Sequence, residues 1–231
     1  MSNVKVLDLG GSIVAPDEID VSFIRKFRIF LESWLLEDTN NKAIIVIGGG
    51  SPARKYQQAY REIVSESDHS EQDWIGITAT RLNAQLIKAV FNDYCREEVV
   101  IDPTAPESFE GQVMIAAGWK PGFSTDFDSV VLAQRFGADT ILNLSNIAKV
   151  YTADPKKDPH AKPLDYISWE DYKKMAGDEW IPGFNVPFDP VATKKAAELN
   201  MKVIAADGKD LENLQKIFDG EEFVGTVIGR Q

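Results

Sequence analysis

Short apolar, β-branched runs alternate along this chain with longer stretches in which apolar residues recur at helical spacing. Val4 to Leu9, Ala43 to Ile47, Val99 to Ile101, Val113 to Ala117, Thr140 to Leu144, Lys202 to Ala206 and Thr226 to Ile228 read as strands. Between them, helical patterns cover about 21–36, 52–64, 78–95, a segment opened by Ser124 and Thr125, 169–175, 190–199 and 211–218. Strands alternating with helices in this way predict a parallel sheet covered by helices on both faces. The apolar runs are continuous rather than alternating, as in strands buried on both faces.

Glycine loops follow three of the strand runs: Gly10-Gly11-Ser12, Gly48-Gly49-Gly50-Ser51, and Gly118-Trp119-Lys120-Pro121-Gly122-Phe123-Ser124-Thr125-Asp126. Taken singly, each serves equally as an ordinary strand-to-helix turn. Together they describe backbone amides turned toward anions at helix starts, where the helix dipole favours negative charge. The expected ligand carries more than one phosphate. Arg54 stands at the start of its helix, a position cations normally avoid, and makes sense there if an anion sits in front of it; the alternative is a solvated arginine beside Lys55 and Arg61.

Composition narrows the class. A chain of 231 residues, 44% hydrophobic, can bury a sizeable core, and its formal net charge of −11 argues against a nucleic-acid surface. Phosphate binding must therefore be local. The single cysteine, Cys95, leaves no internal disulfide and fits a reducing compartment. With neither a charged-then-apolar leader at the start nor an apolar run of bilayer length, the expectation is a cytoplasmic protein. His69 and His160 have no partner ligand at metal spacing, so no protein-held transition metal is expected, while Mg²⁺ carried by phosphates remains open.

Two familiar nucleotide motifs are excluded. Gly48-Gly49-Gly50-Ser51-Pro52-Ala53 satisfies a dinucleotide fingerprint, but the polar segment Ser65 to Ser70 offers no strand ending in an acid where that fold needs one. No Gly-x-x-x-x-Gly-Lys-Ser/Thr occurs.

A longer set of motifs remains: Gly10-Gly11-Ser12, Gly48-Gly49-Gly50 with Ala53-Arg54 and Tyr56, Asp73 with Gly76, Thr80-Arg81-Leu82-Asn83-Ala84, Pro121-Gly122 with Ser124-Thr125-Asp126, and Val150-Tyr151-Thr152-Ala153-Asp154-Pro155-Lys156-Lys157-Asp158-Pro159. In this order they resemble the uridylate (UMP) kinases of the amino acid kinase superfamily, the archaeal-type branch most closely. The resemblance spans nearly the whole chain. It implies one α/β domain over 1–231, with an open, mainly parallel, eight-stranded twisted sheet between helices. The N-terminal lobe, about 1–138, would bind the acceptor UMP and the C-terminal lobe, about 139–231, ATP. It also implies a homo-oligomer, a hexamer built from dimers, and Mg²⁺ accompanying ATP.

By motif position, the resemblance assigns UMP to Gly49, Asp73 and the loop Gly118, Trp119, Lys120, Pro121, Gly122, Phe123, Ser124 and Thr125, with Asp73 accepting from a ribose hydroxyl. ATP and its transferring phosphate fall to Gly10, Gly11, Ser12, Gly50 and Arg54, and the rest of the ATP pocket to Ser145, Asn146, Tyr151, Asp154 and Pro155. Catalytic positions would be Lys194, matching a phosphate-contacting lysine, Asp126, matching a carboxylate that orients catalytic groups, and Arg54. For Lys194 the alternative is a surface lysine beside Lys195, and for Asp126 a first-turn acid.

Three departures stand out. Most of the superfamily has lysine where this chain has Asp8, although the archaeal-type branch tolerates an acid. Asn146-Ile147-Ala148-Lys149 replaces a usual Asn-Val-Asp-Gly, so either the loop is rebuilt or Lys149 contacts phosphate. Gly177 to Phe188 is bulkier than the expected loop and could close the ATP site, block it or serve as a subunit contact. These departures motivate an alternative, a nucleotide-binding homologue without kinase activity, regulatory or storage-like; a kinase of the same fold for another acceptor is the third reading.

Overall fold

The computed structural model describes residues 3–155, 157–177 and 186–230. The elements, in chain order, are β1 (Asn3–Leu9), α1 (Gly11–Val14), α2 (Val21–Glu37), β2 (Asn41–Ile47), α3 (Gly50–Ile63), α4 (His69–Val90), β3 (Val113–Ala117), α5 (Thr125–Phe136), β4 (Thr140–Ser145), β5 (Tyr166–Ile167), α6 (Trp169–Ala176), α7 (Pro190–Glu198), β6 (Lys202–Asp207), α8 (Leu211–Asp219) and β7 (Thr226–Gly229). The strands form one sheet in the order β3-β2-β1-β4-β6-β7-β5, in which only β6 and β7 pair antiparallel.

Side chains on the central strands alternate between two buried layers. Leu7, Leu9, Ala43, Ile45 and Ile47 pack with Phe27, Leu31 and Trp34 of α2, Ala84 and Ile87 of α4, and Leu214 of α8. Val6, Ile44 and Val46 face the other way, onto Val130 and Leu132 of α5, Tyr172 of α6 and Ala192 and Ala196 of α7. Complete burial of a side chain such as Leu7 or Ile45 contributes about 1.5–3 kcal/mol, so the two layers hold the sheet from both faces.

Seven strands are present among the described residues where the resemblance implies eight. Val99 to Ile101 supplies the difference: it makes only an isolated parallel bridge, Val100 with Ala116, using Val100 N–H to Ile115 and Ala117 N–H to Val100 (2.9 Å each). Pro103, with no N–H to give, stands close behind. Helix α4 starts at His69 rather than near 78, because Asp68 caps it by accepting from Glu71 N–H (3.0 Å). Its first turns are polar and carry no apolar periodicity to announce them. It also ends at Val90 rather than Cys95. The four residues of α1 and the two of β5 are too short for any periodic signal.

The chain runs β1, β2, β3 to one edge, and β4 then returns to the other side of β1. That reversal opens a crevice at the carboxyl ends of the parallel strands, where ligands of open α/β sheets bind. The loops after β1 and β2 meet there backbone to backbone. A Cβ on Gly11 would lie 2.0 Å from Gly50 N, one on Gly48 would lie 2.4 Å from Gly11 N, and Gly50 has φ +65°.

Gly11→Ala is expected to lower unfolding stability by about 3 kcal/mol or more, because backbone atoms cannot repack around the methyl. Gly137→Ala, at φ +71° with open space around it, should cost only about 1 kcal/mol. Urea denaturation of the two variants side by side measures the contrast.

Candidate active site

The starts of α1, α3 and α5, each following a parallel strand, converge on one groove of about 490 Å³. Gly11 and Ser12, Gly49 and Gly50, and Ser124 and Thr125 line it, with Arg54 on one wall. Their helix dipoles bring partial positive charge to a protein that is otherwise strongly acidic. Asp73, Gly76, Ile77 and Thr80 of α4, with Phe123, form the far wall, and Asn146 enters from the end of β4.

Each loop is held by a named side chain. Asn83, 2% exposed, donates to Gly48 O (2.9 Å) and Gly49 O (3.1 Å), fixing the curl of the triple glycine. Thr80 Oγ1 accepts from Gly118 N–H (2.8 Å), and the Arg81 guanidinium donates to the Gly118 and Trp119 carbonyls, at 2.9 Å for the latter. Asp73 Oδ2 accepts from Gly122 N–H (2.8 Å), where the chain turns at φ +86°. Ser124 caps α5, accepting from Phe127 N–H (3.2 Å). Lys120 lies 3.7 Å from the centre of the Trp119 ring, and Phe123 packs at a tilt between Trp119 and Phe127 at 5.1 and 4.6 Å.

Arg54 is exposed and donates to Pro16 O (3.2 Å), which holds it beside the α3 start. The groove therefore offers amides, hydroxyls, one guanidinium, a carboxylate and an aromatic ring. That set suits a phosphorylated ligand with a hydroxyl-bearing, flat organic part.

Behind the groove lies a group of buried acids. Asp8 is 3% exposed and faces Asp126, Asp189, Thr125 and Ser129. Burial, reinforced by Asp189, pushes its carboxyl up to about 6. Burial and then the neighbouring Asp8 and Asp189 hold Asp126 well above the ordinary aspartate value, and burial raises Asp189. Asp128 is fully buried and pushed up to about 8 by desolvation, although its Oδ2 accepts from Trp119 N–H (3.1 Å). Asp8 Oδ2 and Asp128 Oδ1 are buried without a hydrogen-bond partner. Position 8 carries an acid where the superfamily's lysine would stand, and burial beside like-charged neighbours disfavours ionisation of the group.

Other sequence-predicted residues lie elsewhere. Lys194 is exposed on α7 and does not line this groove: Asp189 is the cap of α7, and Lys194 follows more than a turn later. Asp126 turns away from the groove, its Oδ2 accepting from Asp189 N–H (2.7 Å). Gly10 sits behind the lining and donates to Leu144 O (2.8 Å), while Ser145 O accepts from Gly208 N–H (2.8 Å). Tyr151 bridges to Pro163, and exposed Asp154 and Pro155 belong to a turn in which Asp154 pairs with Lys157 at 3.8 Å. None of these three lines the groove, because the segment is turned in on itself. Trp119, Lys120, Pro121 and Gly122 form the loop's outer rim rather than its lining.

Lys149 pairs with Asp165 and has no left-handed backbone. Lys156 and residues 178–185 of the bulky segment lie outside the described residues.

Sequence reasoning gave no site role to Ala53, Gln57, Gly76, Ile77 or Thr80. Their spacing held the signal: Asp73, Gly76, Ile77 and Thr80 share one face of α4, and Gly49, Ala53 and Gln57 one face of α3.

Between the ordinary aspartate pKa and about 8 the folded protein holds the Asp128 proton that the unfolded chain releases. Its stabilising contribution is therefore full in acid and drains as pH rises through 8. Urea unfolding should show stability falling from pH 6 to 9 in the wild type. Asp128→Asn, which keeps the Trp119 contact, should remove at least about 1.4 kcal/mol of that loss, one pKa unit's worth.

The sequence profile described as "Amino acid kinase family" matches residues 3–207. The chain is 34% identical over 230 residues to the uridylate kinase of Methanospirillum hungatei, covering 97% of this chain and 94% of that one. It is 33% identical to the uridylate kinase of Thermococcus kodakarensis, covering 96% and 98%. The crystal structure of uridylate kinase from Archaeoglobus fulgidus superposes with a TM-score of 0.80 at 34% identity, covering 99% and 100%. The UMP kinase structure from Bacillus anthracis, at 23% identity with a TM-score of 0.76, shares the fold, covering 98% and 95%. Sequence and fold agree from end to end, and the chain belongs to the amino acid kinase family.

Proposed function

We propose that this protein is a UMP kinase, transferring the γ-phosphoryl group of ATP to UMP to give UDP and ADP. The observation that carries the reading is the groove in which three glycine-bearing helix starts meet Arg54, Asp73 and Phe123. Relatives and a solved structure named uridylate kinase, at 33–34% identity over nearly their whole length, support it.

UMP lies with its ribose toward Asp73 and its base in the part of the groove walled by Ile77, Gly118 and Phe123. Its phosphate meets the amides around Gly49 and Gly50, and the γ-phosphate of ATP faces it from the side of Gly11 and Ser12. An oxygen of the UMP phosphate attacks the γ-phosphorus as the bond to the β–γ bridging oxygen breaks, and ADP leaves with that electron pair. The chain's part is positioning and charge stabilisation: fixed amides and the Arg54 guanidinium meet charge on the equatorial oxygens.

Among the described residues no three His, Cys, Asp or Glu side chains converge as a metal cage. Mg²⁺ would arrive on the phosphates of ATP with its shell completed by water, neutralising phosphate charge once bound. A dimer-based hexamer and a cytoplasmic location belong to the same reading; no helix among the described residues is long and apolar enough to cross a membrane. With Lys149 paired to Asp165, one motive for a non-catalytic homologue falls away.

ADP release with Mg-ATP and a panel of UMP, CMP, dUMP, carbamate and acetylglutamate tests the proposal. Turnover with UMP is expected, and binding of UMP or ATP without turnover would overturn it. Arg54→Ala should lower kcat about 100-fold. Asp73→Ala should raise the KM for UMP about tenfold with little change in kcat, since the interaction is the same in ground and transition states.

A further inference from the structure

Asp189 has no part in lining the groove, yet it holds together elements from both halves of the molecule. It is 2% exposed at the cap of α7, where Oδ1 accepts from Val191 N–H (2.7 Å) and Ala192 N–H (3.1 Å). The other oxygen, Oδ2, accepts from the Ser124 hydroxyl, and the Asp189 amide donates to Asp126 Oδ2 (2.7 Å). Two hydrogen bonds thus run from one residue of the C-terminal half to the first turn of α5, the end of the glycine loop 118–124.

Asp189 is itself firmly seated. The fully buried Tyr172 hydroxyl accepts from Phe188 N–H (2.7 Å) and donates to Phe188 O (3.0 Å), and Asn143 donates to Pro187 O (2.8 Å). Residues 187–189 are therefore fixed to α6 and β4. The opposite end of the glycine loop is clamped to α4 by Thr80 and Arg81. One end of the loop follows the N-terminal half and the other follows Asp189.

We infer that Asp189 is a positioning residue that couples the acceptor loop to the C-terminal half, so that occupancy of the donor site sets the affinity of the acceptor site through the Ser124 hydroxyl. The inference rests on the reading of UMP at the glycine loop and ATP toward the C-terminal half. A shift of α7 or of segment 187–189 reaches Ser124 directly, because that hydroxyl and the α7 amides share one carboxylate. A residue serving only as a helix cap would carry the amides alone.

The test is a UMP titration followed by Trp119 emission, assigned with Trp119→Phe, with and without a saturating non-hydrolysable ATP analogue and Mg²⁺. In the wild type the analogue is expected to change the UMP Kd at least threefold. Ser124→Ala and Asp189→Asn should bind UMP about fivefold to tenfold more weakly, with the same Kd in both conditions, and Ser124→Thr should restore coupling. Ser124→Ala leaves the α7 cap whole and carries the test if Asp189→Asn does not fold. A wild type without coupling, or variants whose Kd still follows the analogue, would overturn the inference. Failure of the kinase reading is seen separately, as no UMP-dependent ADP release; coupling is then read from the change in Trp119 emission that the analogue alone produces and both variants lose.

Discussion

The loops after β1 and β2 approach so closely that no side chain fits between Gly11 and Gly50. Gly48 N–H donates to Leu9 O (3.0 Å) and Ser51 N–H to Ala15 O (2.8 Å), so the two turns share hydrogen bonds as well as space. The starts of α1 and α3 can point at one volume only because of this contact. Asn83, reaching from α4 to the carbonyls of Gly48 and Gly49, then sets the distance of the third wall. Groove width, and with it the spacing between bound groups, follows from backbone packing that a single methyl would break.

Charge is organised in two layers around that framework. The groove itself presents amides, hydroxyls and Arg54, while four aspartates, Asp8, Asp126, Asp128 and Asp189, sit behind it. Burial raises the pKa of each member of this group, since ionising neighbouring acids in a low dielectric is costly. The acids join β1, α5 and α7 with no lysine at position 8, and Asp189 is the member that reaches the acceptor loop, through Asp126 and Ser124.

Much of this architecture was legible in the chain. The apolar runs of β1, β2, β3, β4 and β6 mark buried strands, and the glycine loops behind the first three mark the ends at which the groove opens. The motif order pointed to Gly11, Ser12, Gly49, Gly50, Arg54, Asp73, Phe123, Ser124, Thr125 and Asn146, all of which line the groove. The same motifs pointed to Tyr151, Asp154, Pro155 and Lys194, which do not, because their placement depends on how the long connection after β4 turns and where α7 begins. Val99 to Ile101 has the composition of a strand yet makes one bridge, since Pro103 close behind it has no N–H to extend the ladder.

What the sequence by itself determined is whatever local physics dictates: periodicity sets element type, glycine permits the turns, and the capping residues Ser124, Asp68 and Asp189 start their helices. Tertiary structure alone decided which loops touch, that Asn83 serves the triple glycine, that Lys149 spends its charge on Asp165, and that aspartates from β1, α5 and the α7 cap share one buried volume. The physical reason is distance along the chain. Asp8 and Asp189 meet only because β1 and β4 are neighbours in the sheet with α5 and α7 packed together over one of its faces, and no pattern within a single segment records which strand lies beside which.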